Sequence, residues 1–353
     1  MWPFSKPKNF LAVDIGTHGI KLVELQKRGK RAHLFTYAYT DKELSQDQAD
    51  GHFLNAEAVI DLLKKMVQKS KAVSRQAVAS LPASAVFSSI VNIPLISKKE
   101  EKDAFIKREA EKLVTIPLTE TVLDWKIVAW NNGKEKNEMA LLTAAPKKLI
   151  ASYSEIFKLA GLNLLSLDTE ANALISALIG KDPAPTLLID MGATQTDFFL
   201  VEKGIPLFFH SIQMGGRGFT DIIKNTLGVS SEEAEQIKRD LPNHGLGGKT
   251  LSGFPAIFEP VLSSLVETIK YSFEIYSKQK ENSTARPEKI ILTGGSALIP
   301  FLDTRLAELL NLKVYIGDPW ARIIYDQSLK PTLDQIGPRF SIPIGLALKK
   351  IEE

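Results

Sequence analysis

The chain has 353 residues, 44% hydrophobic and 24% charged, a soluble globular balance with enough core for two or more domains. A net charge of +3 gives no general electrostatic case for nucleic acid. The absence of cysteine excludes disulfides and thiolate metal sites and fits a reducing cytoplasm. The five histidines lack ligand spacing, and no uncharged apolar run reaches the roughly 18–20 residues that span a bilayer. The opening Met1-Trp2-Pro3-Phe4-Ser5-Lys6-Pro7-Lys8 has no apolar core region and is not a signal peptide. It reads as a frayed end before the first strand, with weak membrane-surface contact as the other reading.

Residues 10–15 read as a buried strand, 21–26 as its hairpin partner and 32–39 as a third strand, before a polar stretch at 40–51. Asn55 caps a helix whose Val59, Leu62, Leu63, Met66 and Val67 follow the helical period. A strand at 76–81 completes a mixed α/β layer. The next stretch, 82–147, changes character. It has a strand at 86–93 and a charged helix at 98–114 with Ile106, Ala110, Leu113 and Val114 on its apolar face. Strands at 121–128 and 138–145 then flank a polar loop at 131–137, so this stretch reads as an inserted α+β unit. Pro146 opens a helix at 149–160, closed by Gly161. A strand at 164–167 and a helix from Thr169 to about 179 follow, and Lys181-Asp182-Pro183-Ala184-Pro185 marks a boundary.

The second half repeats the opening of the first: a strand at 186–190 with a glycine turn, a return strand at 196–202, and a third at 205–212. The duplication is one of pattern and not of identical residues. Helices are expected from 215–218 onward, at 231–240 and at 254–280. The chain returns through 290–292, 300–310, 314–316 and 343–351. Two α/β halves follow from this order.

Three separated stretches place glycines beside a strand. They are Asp14-Ile15-Gly16-Thr17-His18-Gly19-Ile20-Lys21, Asp190-Met191-Gly192-Ala193-Thr194-Gln195-Thr196, and Leu292-Thr293-Gly294-Gly295-Ser296. Glycine lets the backbone turn and approach a phosphate, and the N–H groups that follow form an anion nest. Lys21 adds a point charge within reach of a phosphate. Asp14 and Asp190 either offer oxygen to Mg²⁺, through waters, or cap the turns after their strands. Gly215-Gly216-Arg217-Gly218 opens a helix, whose N-terminus favours anions. Glu235 and Lys238 share one helix face, as a surface ion pair does.

Asp14-x-Gly16-Thr17 with Lys21, Asp190-x-Gly192-x-x-x-Thr196 and Gly294-Gly295-Ser296 resemble the two phosphate motifs and the adenosine motif of the superfamily that joins actin, heat-shock chaperones and sugar kinases. The resemblance implies a two-lobed actin-like fold, duplicated and ribonuclease H-like, with ATP or ADP and Mg²⁺ in the interlobe cleft. It implies that Gly16, Thr17, His18, Gly19, Lys21, Gly192, Ala193 and Thr194 hold phosphate. Gly215, Gly216, Glu235, Lys238, Gly294, Gly295 and Ser296 would hold the nucleoside side, with Glu235 and Lys238 on ribose and adenine. Asp168-Thr169-Glu170-Ala171-Asn172 resembles the connecting helix, where Glu170 would orient water on the terminal phosphate. Proline often follows that Glu and is Ala171 here, so Glu170 is either catalytic or merely structural, and hydrolysis is expected to be slow.

The insertion resembles the extra subdomain of FtsA-like proteins. Lys107-Arg108-Glu109-Ala110-Glu111-Lys112, Ile116-Pro117, Val122-Leu123-Asp124-Trp125, Asp318-Pro319-Trp320, Ile336-Gly337-Pro338-Arg339-Phe340 and Gly345-Leu346-Ala347-Leu348 narrow it to the PilM family of type IV pilus assembly proteins. This implies a first lobe of 1–81 and 148–183, an FtsA-like insert at 82–147, and a second lobe of 184–213 and 289–353 with its helical adenine-side subdomain at 214–288. An FtsA-like cell-division protein would add a linker and an amphipathic membrane helix, and an active small-molecule kinase or ATPase is the other alternative. PilM-like proteins sit in the cytoplasm at the inner face of the inner membrane, held there through partners. They bind the N-terminal cytoplasmic tail of PilN in a groove between the first lobe and the insert. Other platform components and self-association are open; nucleic acid is not expected.

Overall fold

The computed structural model describes residues 8–41, 44, 55–128, 138–244, 253–280 and 284–353. The opening segment, most of the polar stretch at 40–51 and the loop at 131–137 lie outside these.

β1 (Lys8–Gly16) lies inside its sheet, which is why Leu11, Ala12 and Val13 are all apolar and all buried. It pairs antiparallel with β2 (Gly19–Arg28), and β2 with β3 (Arg31–Tyr39). α1 (Ala56–Lys69) begins where Asn55 Oδ1 accepts the Ala58 N–H at 3.1 Å. Its buried Val59, Leu63, Met66 and Val67 return the chain to β4 (Gln76–Leu81), parallel to β1.

The next elements leave this sheet. β5 (Phe87–Ile93), α2 (Lys99–Leu113), β6 (Thr121–Val128) and β7 (Glu138–Pro146) form an antiparallel sheet of order β5-β7-β6 with one covering helix. Ile106 and Ala110 of α2 pack on Val91, Ile93, Ala140 and Leu142. Leu113 departs from expectation: α2 ends there, its backbone turns extended at Val114, and the side chain is exposed.

α3 (Lys147–Leu159) follows β7 directly and leads to β8 (Asn163–Thr169), which completes the order β3-β2-β1-β4-β8. The helix expected from Thr169 to about 179 divides. α4 (Glu170–Leu174) is capped by Thr169 Oγ1 and continues as one π-helical turn, Ile175–Ile179. π turns are rare and are enriched at functional sites.

The second half runs through β9 (Thr186–Met191), β10 (Thr196–Glu202) and β11 (Ile205–Ile212), then α5 (Gly216–Leu227), α6 (Ser231–His244) and α7 (Glu259–Gln279). The long helix expected over 254–280 starts later, after a 3-10 turn at Ala256–Phe258 set by Pro255. β12 (Lys289–Thr293), α8 (Leu302–Leu310), β13 (Lys313–Ile316), α9 (Lys330–Ile336) and α10 (Ser341–Glu352) follow. The sheet order β11-β10-β9-β12-β13 repeats that of the first sheet strand for strand.

One apolar core joins the halves: Ala12 and Val23 from the first sheet, Leu188, Phe199 and Ile291 from the second, and α4 and α10 with them. α10 crosses α4 so closely that a Cβ on Gly345 would stand 1.8 Å from the Ala173 carbonyl oxygen. Only glycine fits that crossing.

Candidate nucleotide site between the sheets

β1 and β9 occupy matching places in the two sheets, and each ends in an aspartate. The register sets Asp14 opposite Lys21 across β1 and β2, and Asp190 opposite Asp197 across β9 and β10. The spacing is the same in both halves; the sign of the partner is reversed.

In the first half the pair is neutral. Lys21 Nζ donates to Asp14 Oδ2 at 3.0 Å, and Ser80 Oγ donates to Oδ1 at 3.1 Å. Burial works against the charge of Lys21, but Asp14, with Asp190 and Glu170, outweighs it and holds the ammonium above its ordinary pKa. In the second half the carboxylates repel. Burial, then Asp197 and Asp14, push Asp190 up to about 7. Glu170 accepts the Ala83 N–H at 2.7 Å on Oε2, yet burial followed by Asp197, Asp14 and Asp190 holds it well above the carboxylate range.

The glycine turns converge here. Thr17 Oγ1 and Thr194 Oγ1 meet at 3.3 Å across the halves. Gly294, at φ +82°, lies so near the second turn that a Cβ would come within 2.4 Å of Asp190 Oδ1. Ser296 Oγ donates to the Gly192 carbonyl at 2.9 Å. The first N–H groups of α5 are already engaged: Gly216 N donates to Gly192 O at 2.9 Å and Arg217 N to Ala193 O at 2.8 Å. On α6, Lys238 Nζ reaches Glu235 Oε2 at 2.6 Å, Thr220 Oγ1 at 2.8 Å and Gly216 O at 3.0 Å.

These groups enclose a cavity of about 660 Å³, within the range of small-molecule sites. Asp14, Gly16, Thr17, His18 and Lys21 line it from the first half, with Glu170. Asp190, Gly192, Ala193, Gly216, Glu235, Lys238, Gly294, Gly295 and Ser296 line it from the second. Gly19, Thr194 and Gly215 are not on its wall; Gly19 abuts the Thr40 carbonyl and Gly215 abuts Gly192 and Ala193.

Sequence reading passed over several wall residues. Asp197 and Arg239 each follow directly on a residue it had selected, Thr196 and Lys238. Tyr39, Asp41 and Tyr153 carry no local signal and arrive by long-range packing, as does Arg339, which the sequence marked only as part of a family-like stretch. Asp41 accepts from Arg339 Nη1 at 3.1 Å and pairs with Arg239 Nη1 at 3.5 Å, so one carboxylate of the first half meets two arginines of the second.

The charge balance bears on a cation. Asp14, Glu170 and Asp190 act on Lys21, and Asp197 on Glu170 and Asp190; burial, then mutual repulsion, raises the pKa values of Glu170 and Asp190. Such an oxygen set suits a hard divalent ion. Among the described residues no three acidic or histidine side chains converge closely enough to hold one directly, so the set fits an ion that keeps its waters.

A family model described as Type IV pilus assembly protein PilM matches residues 12–351. The chain belongs to the PilM family. It is similar, with a TM-score of 0.80 and 24% identity, to a solved PilM-PilN type IV pilus biogenesis complex, over 97% of this chain and 98% of that one. Ethanolamine utilization protein EutJ from Carboxydothermus hydrogenoformans matches at TM-score 0.59 and 17% identity, over 98% and 91% of the two chains. MreB 5 of Spiroplasma citri bound to AMPPNP matches at 0.51 and 15%, over 99% and 97%. The fold is the two-lobed actin-like one.

Two of the stretches that resemble the PilM family outside the glycine turns, around Trp320 and Phe340, have packing roles here. Trp320 is buried, donates from Nε1 to Leu333 O at 2.9 Å, and meets Phe340 at 5.3 Å between ring centroids. Phe340 in turn meets Tyr37 at 5.6 Å and Tyr39 at 5.9 Å, which seats this segment on β3. Among the described residues no helix is long and apolar enough to cross a membrane.

Proposed function

We propose that this PilM-family protein is an ATP-binding scaffold of the type IV pilus inner-membrane platform that recruits the cytoplasmic N-terminal tail of PilN. The observation that carries the nucleotide half is the meeting of three glycine turns around one cavity, with Asp14 and Asp190 on its wall. Gly16, Thr17, His18, Lys21, Gly192 and Ala193 form the phosphate cradle, with Gly19 and Thr194, which lie off the cavity wall, shaping the two turns. Gly294, Gly295, Ser296, Gly216, Glu235 and Lys238 form the nucleoside side, with Gly215 behind the wall against Gly192 and Ala193. Asp14 and Asp190 hold Mg²⁺ through its waters; the ion, when bound, offsets the charge of phosphates and carboxylates together. In this reading Glu170 orients water on the terminal phosphate. Burial, then the field of the other three carboxylates, holds its pKa above the ordinary carboxylate range. AMPPNP in the MreB 5 structure is consistent with nucleotide in this cleft.

The PilN half rests on family membership and on the solved PilM-PilN complex. β6 and β8 are the outer strands of the insert and of the first sheet, respectively. Lys126 on β6 lies in the field of Lys349 and Asp168, and Asp168 accepts from Lys349 at the end of β8. Leu165 and Val122 are exposed on the same two strands. An extended tail fits between such strands by strand addition with alternate side chains in pockets. The protein would then be cytoplasmic and peripheral at the inner membrane through its partners.

Replacing residues 82–147 by a short linker tests this reading, once circular dichroism shows the product folded. Capture of the PilN tail should be lost while Mg·ATP binding is kept. Wild-type capture by the folded variant would move recognition elsewhere.

A further inference from the structure

Tyr153 of α3 belongs to none of the glycine motifs. Its side chain is 1% exposed and packs in the core of the first lobe with Ile156 and Phe157. It nevertheless contributes to the wall of the interlobe cavity. Its hydroxyl is buried there with no hydrogen-bond partner in the protein. Buried tyrosine hydroxyls are normally paired, and leaving one unpaired costs about 1–3 kcal/mol. Phenylalanine would fill the same space without that cost, so the hydroxyl calls for an occupant of the cavity.

The surroundings identify the occupant. Burial, then Glu170 and Asp14, raise the phenol above its ordinary pKa, so it keeps its proton and offers a donor. Those two carboxyls belong with Gly16, Thr17 and Lys21, the phosphate end of the nucleotide reading; the Glu235–Lys238 pair lines the cavity from α6 of the second half. A donor at the phosphate end suits an anionic phosphoryl oxygen. In the nucleotide reading Glu170 orients water on the last phosphoryl group, which puts the end of the phosphate chain on this side.

We propose that the Tyr153 hydroxyl donates a hydrogen bond to the terminal phosphoryl group of a bound nucleoside triphosphate and so distinguishes triphosphate from diphosphate. This rests on the nucleotide reading above. It also gives the terminal phosphate a contact on α3, whose first residue, Lys147, directly follows the central strand of the insert.

The test is calorimetric titration of the full chain with Mg·AMPPNP and with Mg·ADP, in wild type and in Tyr153→Phe. Hydrogen bonds to charged groups are worth about 1.5–3 kcal/mol, and 1.4 kcal/mol is tenfold in affinity. The variant should lose about tenfold or more toward AMPPNP and stay within twofold toward ADP. Its unliganded Tm should be unchanged or higher, because an unpaired hydroxyl has gone. Equal affinities for both ligands in variant and wild type would overturn the proposal, as would an equal loss toward both. Wild-type protein that binds neither nucleotide would remove the underlying reading and the proposal together, an outcome separable from the others by the wild-type titration alone.

Discussion

Asp190 and Asp197 face one another across two central strands, where like charges destabilise a sheet. The matching pair in the first lobe, Asp14 and Lys21, attracts. The second lobe therefore carries a buried electrostatic cost that a cation, if bound there as proposed, would relieve. The cost has a pH signature. Asp190, with an ordinary pKa of 3.8 raised to about 7, holds a proton in the folded state that the unfolded chain has released. Unliganded stability is thus greatest at the acid side of that window and declines as pH rises to about 7. Glu170 acts in the same direction. Scanning fluorimetry without nucleotide should show Tm falling between pH 5 and pH 8, with a shallower fall in Asp190→Asn. An identical slope in that variant would mean that Asp190 does not carry the effect. Local spacing made Asp14, Lys21 and Asp190 legible in the sequence, since each lies within a few residues of its turn. Asp197 repeats the seven-residue spacing of Lys21 from Asp14 but reverses its charge, so a search for a second lysine passes it by. Tyr153, Asp41 and Arg339 reach the cavity only through tertiary packing.

At the scale of elements, sequence periodicity located most strands and helices because one face of each is apolar and buried, as in α1. It failed where backbone geometry departs from a simple period. The π turn after α4 keeps the apolar pattern of a helix, and α9 is a single short helix between two 3-10 turns. Gly345 looked like one position in a family-like motif; its physical reason is the crossing with α4. Gly345→Ala would place its Cβ against the Ala173 carbonyl and force the two connecting helices apart. Overpacking of this kind costs typically about 1–3 kcal/mol, so thermal unfolding should shift down by several degrees. An unchanged Tm would show that the crossing relaxes freely.

Across the whole molecule, contacts between the halves surround the cavity. Thr17, on its wall, touches Thr194, and Asp41 meets Arg239 and Arg339, all three on the wall. The insert is tied to the second lobe too, through Val128 and Leu141 packed on Ile205. Partly exposed ion pairs are each worth about 0–1 kcal/mol, so the arginine contacts bias closure of the cleft without locking it. A ligand that touches both lobes can then set their separation, and the insert would sense that separation through Ile205. The two-lobed plan was legible because the strand pattern repeats; the contact between insert and second lobe was not, because its residues lie far apart in the chain.

The account turns on Mg·ATP being held by the opposed aspartates of the two lobes. Its most direct measurement is calorimetric titration of Mg·ATP into wild type and into the double variant Asp14→Ala, Asp190→Ala, with folding of both verified by circular dichroism. The account predicts binding by wild type and a loss of at least about 100-fold in the variant, on the order of 3 kcal/mol. Unchanged affinity in a folded double variant would contradict it.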